Sequence, residues 1–250
     1  MTARPVTVVG VDGCAAGWLA AWESAGSIET AVYSTIDALW DAHKDADRML
    51  IDIPIGLPEA GARACDREAR SLLGVRGTSV FPTPIRPVIE GARDGSLTYD
   101  DANALSRDRT GKGLQKQAWN IAPKIAAVDT FLVNTPDARS VVAESHPELC
   151  FTALNDWFPV ALSKANDRGR NARLYILTGY ITNVRGAYRE TIERTLRKDV
   201  SRDDVVDALC LLAAAKQPIA TVPTEPPTDT RALPMQIVHP DTAVPWDEPR

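Results

Sequence analysis

Pro5-Val-Thr-Val-Val-Gly-Val-Asp-Gly13 is the stretch whose reading decides the fold. Residues 5–11 form a β-rich run with little polarity, the pattern of a central strand covered on both faces. The run stops at Asp12-Gly13. Residues 17–23, Gly-Trp-Leu-Ala-Ala-Trp-Glu, suit a second strand, and a turn with Gly26 and Ser27 leads to a third over 28–33. Three strands joined so tightly predict an antiparallel meander. Residues 35–44 read as a helix capped by Thr35 or Ser34, with Ile36, Leu39 and Trp40 on one face. Met49-Leu-Ile-Asp-Ile-Pro54 is another buried strand, stopped by Pro54, Gly56 and Pro58. A helical crossover into a returning strand predicts that this strand runs parallel to a neighbour.

Residues 59–135 are rich in Gly, Pro and Arg, with helix candidates at 59–73, 99–108 and 115–133, the last interrupted by Pro123. Their sparse apolar residues predict an insertion rather than a unit with a strong core of its own. Strand character returns at 139–145, and helices are predicted over 147–157, 168–182 and 186–197. The clearest helix is 201–216, capped by Ser201, with acids in its first turn and Val205, Leu209 and Leu212 on a buried face. The expectation is an α/β domain over 1–218, built on a mixed five-stranded sheet flanked by helices, with the insertion at 59–135. A proline-rich tail follows over 219–250, contributing a last strand at 235–238.

The 250 residues carry a formal net charge of −5, which disfavours a general nucleic-acid binder. The balance is uneven, because residues 164–202 hold ten Lys or Arg against four Asp or Glu. Such a stretch can follow a phosphate backbone or form a solvated helix face. No apolar run is long enough to span a bilayer, and the first residues lack the apolar core of a signal peptide. Cys14, Cys65, Cys150 and Cys210 are far apart, as are His43, His146 and His239. That spacing predicts neither a zinc site nor a disulfide framework, and it points to a reducing, cytoplasmic compartment. A metal, if one binds, must then be held by carboxylates, which favours Mg2+ or Mn2+.

Acids interrupt apolar elements at four places. Asp12 ends the first strand, Asp52 sits within Leu50-Ile51-Asp52-Ile53, and Glu144 follows Val141-Val142-Ala143. Asp204 and Asp207 lie three apart on the last helix and share a face. A buried unpaired carboxylate is costly, so something must compensate each one. Each also has a plain structural role open to it: a turn at Gly13, a backbone amide before Pro54, an arginine partner for Glu144, or a first-turn acid in the last helix. Acids at the strand ends of one sheet converge on one edge. Two Mg2+ ions about 4 Å apart on such a cluster would activate water and stabilise a leaving oxygen in phosphodiester cleavage. Ser145 beside His146 does not make a triad, since neighbours on a strand point to opposite faces.

Asp at the end of strand one, a later acid-bearing strand and a final Asp204-Val-Val-Asp207-Ala-Leu helix together resemble the RNase H-like superfamily. The last motif is similar to the C-terminal helix of RuvC-type resolvases. The chain resembles more closely an uncharacterised family, domain of unknown function 429, described as predicted RNase H-like nucleases. The motifs are Gly10-Val-Asp-Gly-Cys14 with Gly17-Trp18, Ile51-Asp-Ile-Pro-Ile-Gly-Leu-Pro58, Arg63-x-Cys-Asp66 and Gly111-Lys-Gly-Leu-x-Lys-Gln117. Pro123-Lys124, Val128-Asp129, Glu144-Ser-His-Pro-Glu-Leu-Cys-Phe151 and Asp204-x-x-Asp-Ala208 continue them. The resemblance implies an RNase H-like fold and a metal-dependent nuclease or phosphodiesterase acting on DNA or RNA. It implies that Asp12, Asp52, Glu144 and Asp204 or Asp207 bind Mg2+ or Mn2+, with Asp12 bridging two ions. Glu148 is an alternative to Glu144, and Asp203 is expected to be exposed.

Lys112, Lys116, Gln117 and Lys124 suit phosphate contact, and Arg63, Arg67 and Arg70 form a possible cationic ridge. Trp119 suits base stacking or a core position. Two other function classes remain open. Asp12-Gly-Cys-Ala-Ala-Gly17 resembles the start of ATP-dependent phosphotransferases of the actin and sugar-kinase type, where glycines cradle phosphates. The other class is a non-catalytic binding or regulatory protein. Trp18, Trp22 and Trp40 are candidates for an aromatic patch that pairs two copies in a homodimer.

Overall fold

The computed structural model describes residues 6–242. Its main sheet holds β1 (Val8–Cys14), β2 (Gly17–Ser24), β3 (Ser27–Tyr33), β4 (Arg48–Ile51) and β5 (Val142–Glu144), in the order β3-β2-β1-β4-β5. The first three strands are antiparallel, and β4 and β5 extend the sheet in parallel from β1. This is an α/β fold with a mixed five-stranded sheet flanked by helices. The crossover α1 (Ile36–His43) is capped by Thr35, whose hydroxyl accepts from the Ala38 N–H. β1 is the covered central strand that its composition predicts, whereas β3, at the edge, alternates exposed and half-buried residues.

The chain divides into two compact units. Among the described residues, the first contains 6–52, 140–220 and 238–242; the second contains 53–139 and 221–237. The first holds the sheet, α1, α6 (Pro147–Leu154), α7 (Asp167–Leu177), α8 (Val184–Arg194) and α9 (Arg202–Ala215). Its core joins Leu19, Ala21 and Leu50 of the sheet to Phe151 of α6, Leu174 and Leu177 of α7, and Leu209 and Leu212 of α9. The helices predicted over 147–157, 168–182 and 186–197 are shorter than expected. Asp156 and Trp157 adopt positive φ after α6, and Asn183 does so before α8. Two short strands, β6 (Ile219–Val222) and β7 (Ile237–Pro240), pair separately.

α9 lies directly against β1. A Cβ added to Gly10 would lie 2.1 Å from the Leu212 nitrogen and 2.3 Å from the Ala208 oxygen. Only glycine lets the helix backbone rest on the strand there.

The second unit contains α2 (Ala64–Leu73), α3 (Arg86–Asp94), α4 (Tyr99–Thr110) and α5 (Lys116–Asn134). α5 runs continuously through Pro123, and α3 lies in a stretch where no helix is predicted. This unit has an apolar cluster of Ile85, Val88, Ala102, Leu114 and Ala118, with Trp119 packed beside it. It also has a buried ion network. Arg86 bonds Asp129 at 3.2 Å and Asp229 at 2.5 Å, and Arg231 bonds Asp129 and Glu90, each at 2.6 Å. Asp229 also accepts the Leu57 N–H at 2.9 Å, so 221–237 is part of this unit's framework.

Two outcomes follow for stability. Gly10→Ala forces α9 off the sheet and should cost about 3 kcal/mol in urea unfolding. Asp229→Ala removes a buried partner of both Arg86 and the Leu57 N–H, leaving Arg86 to Asp129, and should cost a similar amount, roughly 3 kcal/mol, by the same measurement.

Candidate functional site

The site is built at the C-terminal ends of β1 and β4. In β1, residues 10, 12 and 14 point to the α9 side, because Gly10 meets α9 there. The parallel register sets Gly10 beside Leu50 and Val11 beside Ile51. Asp52 follows, its N–H donating to the Val11 carbonyl at 3.0 Å, so Asp12 and Asp52 emerge on one face. α9 brings Asp207 to the same place, immediately before the Ala208–Leu212 contact with Gly10.

The other predicted acids have different surroundings. Asp204 forms a capping box. Its carboxylate accepts from the Ser201 N–H at 2.8 Å and the Ser201 hydroxyl at 2.7 Å. Glu144 is aligned with Ile51, and therefore with Val11, so it faces the side of the sheet away from Asp12 and Asp52. Glu148, on α6, is the nearer glutamate electrostatically and adds to the proton affinity of Asp52 and Asp207. It is held by Arg173 through both oxygens, at 2.7 and 2.8 Å. Asp203, expected to be exposed, is half-buried and pairs with Arg170 at 3.2 Å.

One member of the site was not singled out by sequence reasoning. Lys164 donates from its ammonium to Asp207 Oδ2. It lies in the connection between α6 and α7, where neither periodicity nor a motif marks it. Asp207 Oδ1 is buried and has no hydrogen-bond partner among the described residues.

The electrostatics follow from this crowding. Asp12 is pushed well above the usual carboxylate range by burial and by the charges of Asp52, Asp207 and Asp204, with Lys164 opposing. Burial raises Asp52 to about 6, Lys164 opposing and Glu148 adding. Burial also raises Asp207 to about 6, against the charge and hydrogen bond of Lys164. Burial disfavours the Lys164 charge, but Asp207, Asp12 and Asp52 outweigh it and raise its proton affinity.

Oxygen donors of this kind suit Mg2+ or Mn2+. Their arrangement does not: among the described residues, no three His, Cys, Asp or Glu side chains are grouped to hold an ion together. Lys164 takes one oxygen of Asp207, and the Ser201 cap takes both of Asp204. In this arrangement the residues do not fit a carboxylate-held metal.

The expected substrate contacts lie in the second unit. Arg63 is buried and is not a surface cation. It bonds Asp66 at 2.6 Å and the carbonyl of Ile55 at 2.8 Å. Arg67 and Arg70 likewise donate to the carbonyls of Ala62 and Val80, so the expected ridge is spent on the backbone. Lys112, Lys116 and Gln117 are exposed, Lys116 lies over the Tyr99 ring at 3.9 Å, and Lys124 is half-buried. In the first unit, Trp18 is buried, which removes it from an aromatic surface patch. Ser145 is buried and donates to the Val238 carbonyl at 2.7 Å. The segment Asp12–Gly17 is a tight hairpin connection with Cys14 opposite Gly17.

Asp52 binds its proton more tightly in the folded protein than in the unfolded chain. Its contribution to stability therefore falls as pH rises from 3.8 to about 6. Asp52→Asn should raise stability at pH 8 by up to about 3 kcal/mol and have little effect below pH 4, measured by urea unfolding at both pH values.

No helix among the described residues is long and apolar enough to cross a membrane. No curated protein and no solved structure matches the chain. Residues 10–228 match the family described as Protein of unknown function (DUF429), covering Asp12, Asp52, Lys164 and Asp207, and the chain belongs to that family.

Proposed function

We propose that this protein is a cytoplasmic nuclease or phosphodiesterase of RNase H-like fold, hydrolysing phosphodiester bonds of DNA or RNA at the Asp12 site. The carrying observation is the convergence of Asp12, Asp52 and Asp207 from two parallel strands and the helix that crosses them. The sheet, with three antiparallel strands extended by two parallel ones, supports the RNase H-like reading. The four cysteines are free thiols buried in the structure, which suits a reducing compartment.

Carboxylates with proton affinities near neutrality suit the activation of water. Asp52 and Asp207, both raised to about 6, are ionised at pH 7 to 8 and basic enough to accept a proton from a water aimed at phosphorus. Mg2+ or Mn2+ is the cation this reading calls for. Lys112, Lys116, Gln117 and Lys124 are its candidates for phosphate contact.

The test is cleavage of end-labelled single- and double-stranded DNA and RNA with Mg2+ or Mn2+ across pH 5 to 9. The expected rate rises through pH 6 as the carboxylates ionise, and Asp12→Asn, with its fold retained, lowers it by roughly a hundredfold or more. Absence of cleavage of all four substrates, or equal rates for wild type and Asp12→Asn, overturns the reading in favour of a non-catalytic role.

A further inference from the structure

Two motifs of the sequence, Arg63-x-Cys-Asp66 and Gly111-Lys-Gly-Leu-x-Lys-Gln117, lie in the second unit, and both build one cavity there. Its volume is about 240 Å3. Pockets that enclose a drug-sized molecule run from about 300 to 1,000 Å3, so this one admits a single ring system. One wall is Pro82-Thr83-Pro84-Ile85. Asp66 fixes it by accepting the Thr83 N–H at 3.0 Å and the Thr83 hydroxyl at 3.3 Å, and Arg63 holds Asp66 at 2.6 Å. Another wall comes from the end of α4 and its connection to α5. Ser106 donates its hydroxyl to the Lys112 carbonyl at 2.9 Å, and the Thr110 hydroxyl accepts the Lys112 N–H at 3.1 Å. Asn103 accepts the Leu114 N–H at 2.9 Å, and a Cβ on Gly113 would lie 2.8 Å from that same Asn103 oxygen. Gly61 closes the lining, its N–H donating to the Arg109 carbonyl at 3.2 Å. The cavity is held open by bonds of the folded chain and needs no ligand to form it.

The lining divides by chemistry. Pro82, Pro84, Ile85 and Leu114 offer apolar surface. Lys112 is the one charged residue of the lining, and neither its ammonium nor the side-chain amide of Gln115 has a partner among the described residues. We propose that this cavity takes one unpaired nucleobase of a nucleic-acid strand, with Gln115 on the base edge and Lys112 on the phosphate of the same nucleotide, so that the protein selects single strands over duplexes. This rests on the reading of the protein as one that acts on nucleic acid. A splayed-out base has two apolar faces and a hydrogen-bonding edge, which match the apolar walls and the free amide. An amide meets such an edge as donor and acceptor at once. The phosphate supplies the anion that the unpaired ammonium lacks. A base inside a duplex is stacked and paired, and cannot enter a cavity of this size without being extruded. Lys116 and Gln117, exposed directly after Gln115, continue the polar rim beyond one nucleotide, which favours a strand over a free mononucleotide.

Binding is measured by fluorescence anisotropy on the intact protein in EDTA, so that no cleavage intervenes. The probes are a labelled single strand of mixed sequence, a strand of the same length with abasic sites throughout, and the duplex, with mononucleotides as competitors. Wild type should bind the normal single strand roughly fivefold or more tightly than the abasic strand or the duplex. Ala62→Trp, which fills the cavity from an exposed lining position, should lower the affinity for the normal strand to that for the abasic one. Lys112→Ala should weaken both and reduce the slope of log affinity against log salt by about 0.7. A further readout needs no variant: strands carrying 4-thiothymidine, photocrosslinked to wild type and mapped by mass spectrometry, should mark residues within 82–85 or 110–115. If Ala62→Trp does not fold, the abasic comparison and the crosslinks decide. Equal affinity for normal and abasic strands, full preference retained in folded Ala62→Trp, or crosslinks confined to other segments overturns the base cavity and leaves the nuclease reading to its own test. Mononucleotides that compete as strongly as the strand assign the cavity to a free nucleotide and overturn strand selection. Absence of binding to every probe overturns both the cavity and the nucleic-acid reading.

Discussion

The contact on which the site depends is backbone against backbone: α9 lying on β1 at Gly10. A methyl group at this position would overlap Leu212 and Ala208, so the distance between helix and strand is set by the absence of a side chain. From that point β1 advances two residues, about 7 Å, to Asp12. Over a similar distance, about 6 Å along its axis, α9 goes back from Leu211 to Asp207. Strand and helix therefore bring two carboxylates together from elements nearly 200 residues apart in sequence. β4 adds Asp52 because it is in parallel register with β1, with no further requirement on the chain.

Such a cluster works against folding. Asp12, Asp52 and Asp207 all have raised proton affinities, so each is held in a form that solvent would not favour. Groups of this kind persist where the surrounding structure outweighs the penalty. Here the counterweights are the extensive apolar packing of α9, buried along nearly its whole length after Asp204, and the ammonium of Lys164. Positioning that ammonium takes a second layer of arginines, Arg170 and Arg173, each bonded to carbonyls and acids of its own unit. Arg170 and Arg173 belong to the basic stretch that composition marks as a possible phosphate track. The structure uses them internally, against Asp167, Asp203 and Glu148.

Much of the sheet was legible because its signals are local. The apolar run of β1, the tight turns of the meander and the Ser201 cap each act over a few residues. Asp12, Asp52 and Asp207 were legible for a related reason, since an acid inside an apolar run is visible without tertiary information. Glu144 shows where such reasoning ends. It looks like Asp52 in sequence, but a single step of register turns it to the other face of the sheet, and register is a property of strand pairs. Asp204 was ambiguous because a capping acid and a site acid occupy the same first-turn position. Lys164 left no signal, because its role arises from the path of a connection held by side chains elsewhere. Arg63 looked like a surface cation because burial of an arginine depends on its partner, here Asp66 and the carbonyls of 55 and 56.

The division of the chain has a consequence for how the protein is made. β4 ends at Ile51, and its neighbour β5 begins at Val142, after the first segment of the second unit. At ordinary rates of synthesis, the half-built sheet waits roughly 5 to 20 seconds for that neighbour. The second unit cannot close early either, since Arg86 and Asp129 wait for Asp229 and Arg231. Neither unit is a finished object on the ribosome until nearly the whole chain has emerged. The strand leading to Asp52 presents an open edge during that interval, so the growing chain is exposed to mispairing at the place where its acidic residues will later meet.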